Sequence, residues 1–84
     1  MYQSCQVFKK TIKTRNFLDG SKITMGYLSD LLIAIVGYNS DKKIIYSMVF
    51  NLSRDKKIAA HSMQSANKEW RRIQILGKVP DILH

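Results

Sequence analysis

The sequence predicts an α+β fold, a small antiparallel sheet of three to five strands in meander order packed by one C-terminal helix. Three observations lead there. Residues 44–52 alternate between two faces, residues 62–76 place apolar side chains every three or four positions, and polar turn residues punctuate the chain between apolar runs.

Ile44–Leu52 is the clearest strand. Ile44, Tyr46, Met48, Phe50 and Leu52 share one face, which is expected to be core, while Ile45, Ser47, Val49 and Asn51 take the other. Leu31–Tyr38 is apolar on both faces and reads as its hairpin partner across the polar turn Tyr38-Asn39-Ser40-Asp41. After a further turn at Leu52-Ser53-Arg54-Asp55, a short strand is expected at Lys57–His61.

The first thirty residues are ambiguous. Met1, Cys5, Phe8 and Ile12 have helical spacing, as do Met25, Leu28, Leu32 and Ile35. Yet Val7, Thr11, Ile12 and Thr14 are β-branched, and Asp19-Gly20 sits where a hairpin loop belongs. Both segments are therefore read as strands, joined by a two-residue loop that pairs Leu18 with Ser21 and Asn16 with Ile23.

Ser62–Leu76 is the clearest helix. Met63, Ala66, Trp70, Ile73 and Leu76 form one stripe, expected to lie across Tyr46, Met48 and Phe50. Ser62 or Ser65 can cap its first amides, and Gly77 followed by Pro80 stops it. The opposite face carries Asn67, Lys68, Arg71, Arg72 and Gln74, with Glu69 placed to pair with Arg72 at i,i+3 spacing.

At 84 residues with 45% hydrophobic composition, the chain is expected to form one globular domain, residues 1–84. Its single cysteine, Cys5, excludes an internal disulfide and implies no oxidising compartment. The longest apolar run, Leu31–Val36, is far shorter than the ~20 residues of a membrane span. A cytoplasmic protein without membrane contact is the expectation.

Catalysis is not expected. His61 and His84 are the only histidines, the carboxylates are scattered through turns, and the glycines are isolated. Cys5 reads as a small buried thiol before it reads as a nucleophile for His61. Zinc needs four Cys or His ligands at paired spacings, so neither metal nor cofactor is expected.

The charge is more informative. Fourteen Lys and Arg against six Asp and Glu give a net charge of +8, a field that draws polyanions. The cations come as doublets, Lys9-Lys10, Lys42-Lys43, Lys56-Lys57 and Arg71-Arg72. Lys42-Lys43 and Lys56-Lys57 flank opposite ends of strand 44–52, which excludes a compact basic spot and leaves a stripe along one face. Lys68 adds a charge one turn before Arg71 and Arg72, whose planar forks suit phosphates and guanine edges. A charged helix exterior that serves only solubility is the plain counter-reading. Tyr46, Phe50 and Trp70 fall on buried faces, so they read as core and not as base-stacking platforms.

The order of three strands and a Ser-initiated helix centred on Trp70, over residues 31–76, resembles in pattern the small sheet-plus-helix DNA-binding modules of phage integrase arms, without a diagnostic motif. Such modules read DNA with the sheet. Here the free face offers Ile45, Ser47, Val49 and Asn51, which is too apolar for an obvious phosphate reader.

Two functions compete. The first is a non-catalytic nucleic-acid-binding module that contacts the phosphate backbone through Lys42, Lys43, Lys56, Lys57, Lys68, Arg71 and Arg72. The second is a small viral or mobile-element interaction domain, an inhibitor or adaptor, docking through an acidic protein surface on a host protein that processes nucleic acid. A homodimer through the second sheet face would be one way to cover Ile45 and Val49.

Overall fold

The computed structural model describes residues 8–82. The expectations placed on Met1, Cys5, Val7 and His84 lie outside them. Four antiparallel strands, β1 (Lys10–Asn16), β2 (Lys22–Ser29), β3 (Leu32–Tyr38) and β4 (Ile44–Asn51), form a meander in the order β1-β2-β3-β4. One helix, α1 (Lys56–Leu76), follows and packs on the sheet. The expected architecture is the observed one.

Register assigns the faces. Ile23–Gly37–Tyr46, Met25–Ile35–Met48 and Tyr27–Ile33–Phe50 form cross-strand rows under α1. Ile23, Ile33 and Ile35 are fully buried among them, joined by Ala66, Trp70 and Ile73 from the helix. Each such side chain stabilises the fold by ~1.5–3 kcal/mol on burial. Tyr46 and Phe50 carry the helix as expected, but Met48 and Leu76 stand 37% and 49% exposed, at the rim of the contact.

The opposite face is lined by small and hydroxylic residues. Thr14–Thr24–Val36–Ser47 form one row and Gly26–Ala34–Val49 another. Phe8 lies across Gly26, where a Cβ would fall 2.8 Å from its ring, and Thr24, Ala34 and Val36 are buried. Ser47, Val49 and Asn51 are exposed, as expected of this face. Ile45 is not. A register shift between Gly37 and Tyr38 sets Ile44 and Ile45 against one residue of β3, and Ile45 joins the core.

Three local expectations are corrected. The β1–β2 loop has three residues, not two, so Asn16 pairs with Lys22 and Arg15 with Ile23. The Phe17 N–H donates to the Ser21 carbonyl and the Gly20 N–H to the Phe17 carbonyl. This is a type I turn closed by a left-handed residue, Gly20 at φ 90°. That geometry turns Phe17 into the core at 8% exposure.

Second, Lys57–His61 is helix and not strand. Third, neither Ser62 nor Ser65 caps α1. Asp55 does, its carboxylate accepting from the Lys57 N–H at 2.9 Å, and Ala59-Ala60 then favour helix in the second turn. At the far end Gly77 adopts φ 74° and donates to the Ile73 and Gln74 carbonyls, as its position predicts.

Both sheet borders are modified. β1 is polar and exposed along nearly its whole length and carries a bulge between Thr11 and Lys13. Beside β4, the Ile82 N–H donates to the Ile45 carbonyl, and Val79 packs on Gly37.

Candidate nucleic-acid interface

An α-helix returns to the same side after three, four, seven or eleven residues. Lys57, His61, Gln64, Lys68, Arg71, Arg72 and Ile75 therefore share one face of α1, opposite the core residues Ala66, Trp70 and Ile73. Apart from the half-buried Ser65 and Glu69 on its flanks, that face is exposed from its first turn to its last. From Lys57 to Arg72 it runs ~22 Å.

Four of the seven basic residues singled out in the sequence thus come together: Lys57, Lys68, Arg71 and Arg72. The other three do not join them. Lys56 points a third of a turn away, and Lys42 and Lys43 lie in the β3–β4 turn, beyond the other end of β4 from the start of α1. The stripe follows the helix and not the sheet.

Electrostatics separates the two arginines. Glu69 accepts from Arg72 Nε at 2.9 Å and from Nη2 at 2.7 Å, the i,i+3 pair read from the sequence. Glu69 also accepts from the buried Tyr46 hydroxyl. The Arg72 guanidinium, then the Tyr46 hydroxyl, hold the Glu69 carboxyl below its ordinary value against the opposing effect of burial. Burial, reinforced by Glu69, pushes the Tyr46 hydroxyl far above its ordinary value of 10. Glu69, held by Arg72 on the same helix, thereby ties α1 to the sheet through Tyr46.

Arg71, Lys57 and Lys68 have no ion pair among the described residues. The carboxylates of Asp19, Asp30, Asp55 and Glu69 all have local partners: Ser21, Lys9, the Lys57 N–H and Arg72. Lys56 and Lys57 also stand in the first helical turn, which holds no acidic residue. There they add to the positive end of the helix dipole and raise the local potential.

Lys13, part of the N-terminal basic run, serves packing. Its ammonium sits 5.2 Å from the centre of the Trp70 ring and donates to Asn67 Oδ1 at 3.5 Å.

Sequence reasoning missed a second basic feature. The β1–β2 and β3–β4 turns lie at the same end of a four-stranded meander, so Lys22, Lys42, Asn16 and Tyr38 line one recess. Both turns are visible in the sequence. Only the pairing order brings them together.

Comparison with protein-family models, with curated proteins and with solved structures finds no match to this chain.

Proposed function

We propose that the protein is a non-catalytic nucleic-acid-binding module that grips the phosphate backbone with the outward face of α1. The carrying observation is the run of unneutralised cations Lys57, Lys68 and Arg71 on one exposed helix face, interleaved with the hydrogen-bonding side chains of His61 and Gln64. Lys42, Lys43 and Lys56 add backbone contacts from beyond the helix face, and Arg72 contributes the half of its surface that Glu69 leaves open. Lysines act here as point charges and Arg71 as the one free fork on the helix.

A labelled oligonucleotide titrated at two salt concentrations tests this. With four phosphates neutralised, log K falls with log salt at a slope near ~−3.6. Lys68→Ala with Arg71→Ala lowers that slope by about two phosphate contacts, near ~1.8. Absence of binding at low salt, or binding indifferent to salt, overturns the proposal.

One observation favours the second function, the inhibitor or adaptor. Ile75 stands 83% exposed in line with Arg71 on the same helix face, the mixture of apolar and basic groups that suits an acidic protein surface. In that case the oligonucleotide titration is silent and Ile75→Ser abolishes partner capture.

A further inference from the structure

Two hairpin turns of the same construction meet at one end of the sheet. In the first, the Phe17 N–H donates to the Ser21 carbonyl and the Gly20 N–H to the Phe17 carbonyl. In the second, the Asn39 N–H donates to the Lys43 carbonyl and the Lys42 N–H to the Asn39 carbonyl. Each turn closes on a left-handed residue, Gly20 at φ 90° and Lys42 at φ 66°. Glycine adopts that conformation freely, whereas a residue with a Cβ does so at a cost. The second turn therefore holds a lysine where its twin holds a glycine. A local rule broken in this way points to a task for the side chain.

The lysine lines a recess. The two turns approach so closely that a Cβ on Gly20 would fall 3.0 Å from Ser40 Cβ. Between them lies a volume of about 480 Å³ bounded by Asn16, Lys22, Tyr38, Asn39, Ser40 and Lys42. The Lys22 ammonium is held over the Tyr38 ring, 5.7 Å from its centre. Asn39 Oδ1 accepts from the Asp41 and Lys43 N–H groups at 2.9 and 3.0 Å, which leaves its Nδ2 as a donor. No carboxylate lines the recess. Asp19, the nearest in the first turn, is bonded to Ser21 N and Oγ at 2.9 and 2.5 Å. Asp41, in the second turn, gives its N–H to Asn39. Two lysines, an amide and a hydroxyl-bearing residue thus line the recess, and no carboxylate residue is among them.

We propose that this recess binds a phosphate monoester, with the dianion between Lys22 and Lys42. Two ammonium groups match two negative charges, while Asn39 and Ser40 serve the remaining oxygens. The volume falls in the ~300–1,000 Å³ range of small-ligand sites and has room for the group that carries the phosphate. A free mononucleotide and the 5′-phosphorylated end of a strand both present this chemistry. The proposal shares Lys42 with the helix-face reading and no other residue.

Amide chemical shifts of the ¹⁵N-labelled protein test it, with inorganic phosphate, a nucleoside 5′-monophosphate, and one oligonucleotide with and without a 5′-phosphate. The phosphate-bearing probes are expected to shift Gly20, Asn39 and Ser40, and the 5′-hydroxyl oligonucleotide to leave these three in place. A tenfold preference for the mononucleotide or for the phosphorylated strand identifies the source. Lys42→Gly suits the φ of that position, so it keeps the fold and raises the urea midpoint while weakening the phosphate probes at least fivefold. Lys22→Gln weakens them similarly. Binding to Lys42→Gly as tight as to the parent, or phosphate-induced shifts confined to α1, overturns the proposal. Lys68→Ala with Arg71→Ala keeps the recess titration, so loss of strand binding in that variant reports on the helix face alone.

Discussion

The Tyr46 hydroxyl, buried in β4, donates to the Glu69 carboxylate on α1, and through Glu69 the sheet is tied to Arg72 at the protein surface. Tyr46→Phe removes the donor and leaves Glu69 with Arg72. A hydrogen bond to a charged group is worth ~1.5–3 kcal/mol, and urea unfolding followed by the fluorescence of Trp70, the only tryptophan, is expected to show a loss in that range.

Glu69→Gln acts on stability and binding in opposite directions. It loses the ion pair that holds Arg72, lowering the urea midpoint, and frees the guanidinium for phosphate. Oligonucleotide affinity at low salt is expected to rise severalfold, with a steeper salt slope, by about one phosphate contact (~0.9). Unchanged or weaker binding would show that Arg72 lies outside the contact surface.

The same chain of groups sets the pH dependence. The Glu69 carboxyl is depressed in the folded state by Arg72 and Tyr46, so its stabilisation is full above the ordinary value of 4.5 and is lost as pH falls through the folded value. The Tyr46 hydroxyl is raised by burial and by Glu69, so its share is full below 10 and is lost as pH rises beyond that. Urea midpoints measured across pH should fall at both extremes, and Tyr46→Phe should flatten the alkaline limb.

Asp55→Ala tests the start of α1. Loss of an N-cap costs ~1 kcal/mol and frays the first turn, where Lys56 and Lys57 already oppose the dipole. Circular dichroism should lose helical signal at 222 nm, and Asp55→Asn should restore most of it.

Gly37→Ala tests the tail. A Cβ there would fall 2.3 Å from Val79 Cγ1 and 3.1 Å from Tyr46 Cβ. The expected loss is ~1–3 kcal/mol, with amide exchange quickened at Ile82, whose N–H bonds to Ile45.

β4 was legible from side-chain alternation, β3 as an apolar run between polar turns because it is buried on both faces, and β2 only through its β-branched neighbours and the Asp19-Gly20 turn signal. Two boundaries were not. Over Lys57–His61 the stripe is carried by the small, half-buried Ala59 alone, while the larger Ile58 falls off it and stands 54% exposed, so periodicity gave little reason to extend the helix backwards. The Asp55 cap was visible but was read as part of a turn, because caps and turns use the same short polar side chains. The first hairpin slipped by one residue because Asp-Gly serves two-residue and three-residue loops alike. The Glu69–Arg72 pair was legible because it is local to one helix. The recess was hidden because its residues lie in separate hairpins, and only the complete strand order brings Lys22 and Lys42 together.

The borders of the sheet carry a consequence for handling. β1 presents Lys10 and Arg15 along a kinked rim, and the C-terminal tail meets the β4 rim at Ile45. Like charges repel a second molecule at the first border, and the second is already engaged where it begins. Strand addition is hindered along β1 and at the start of β4, so removal of the tail should raise the turbidity of concentrated samples.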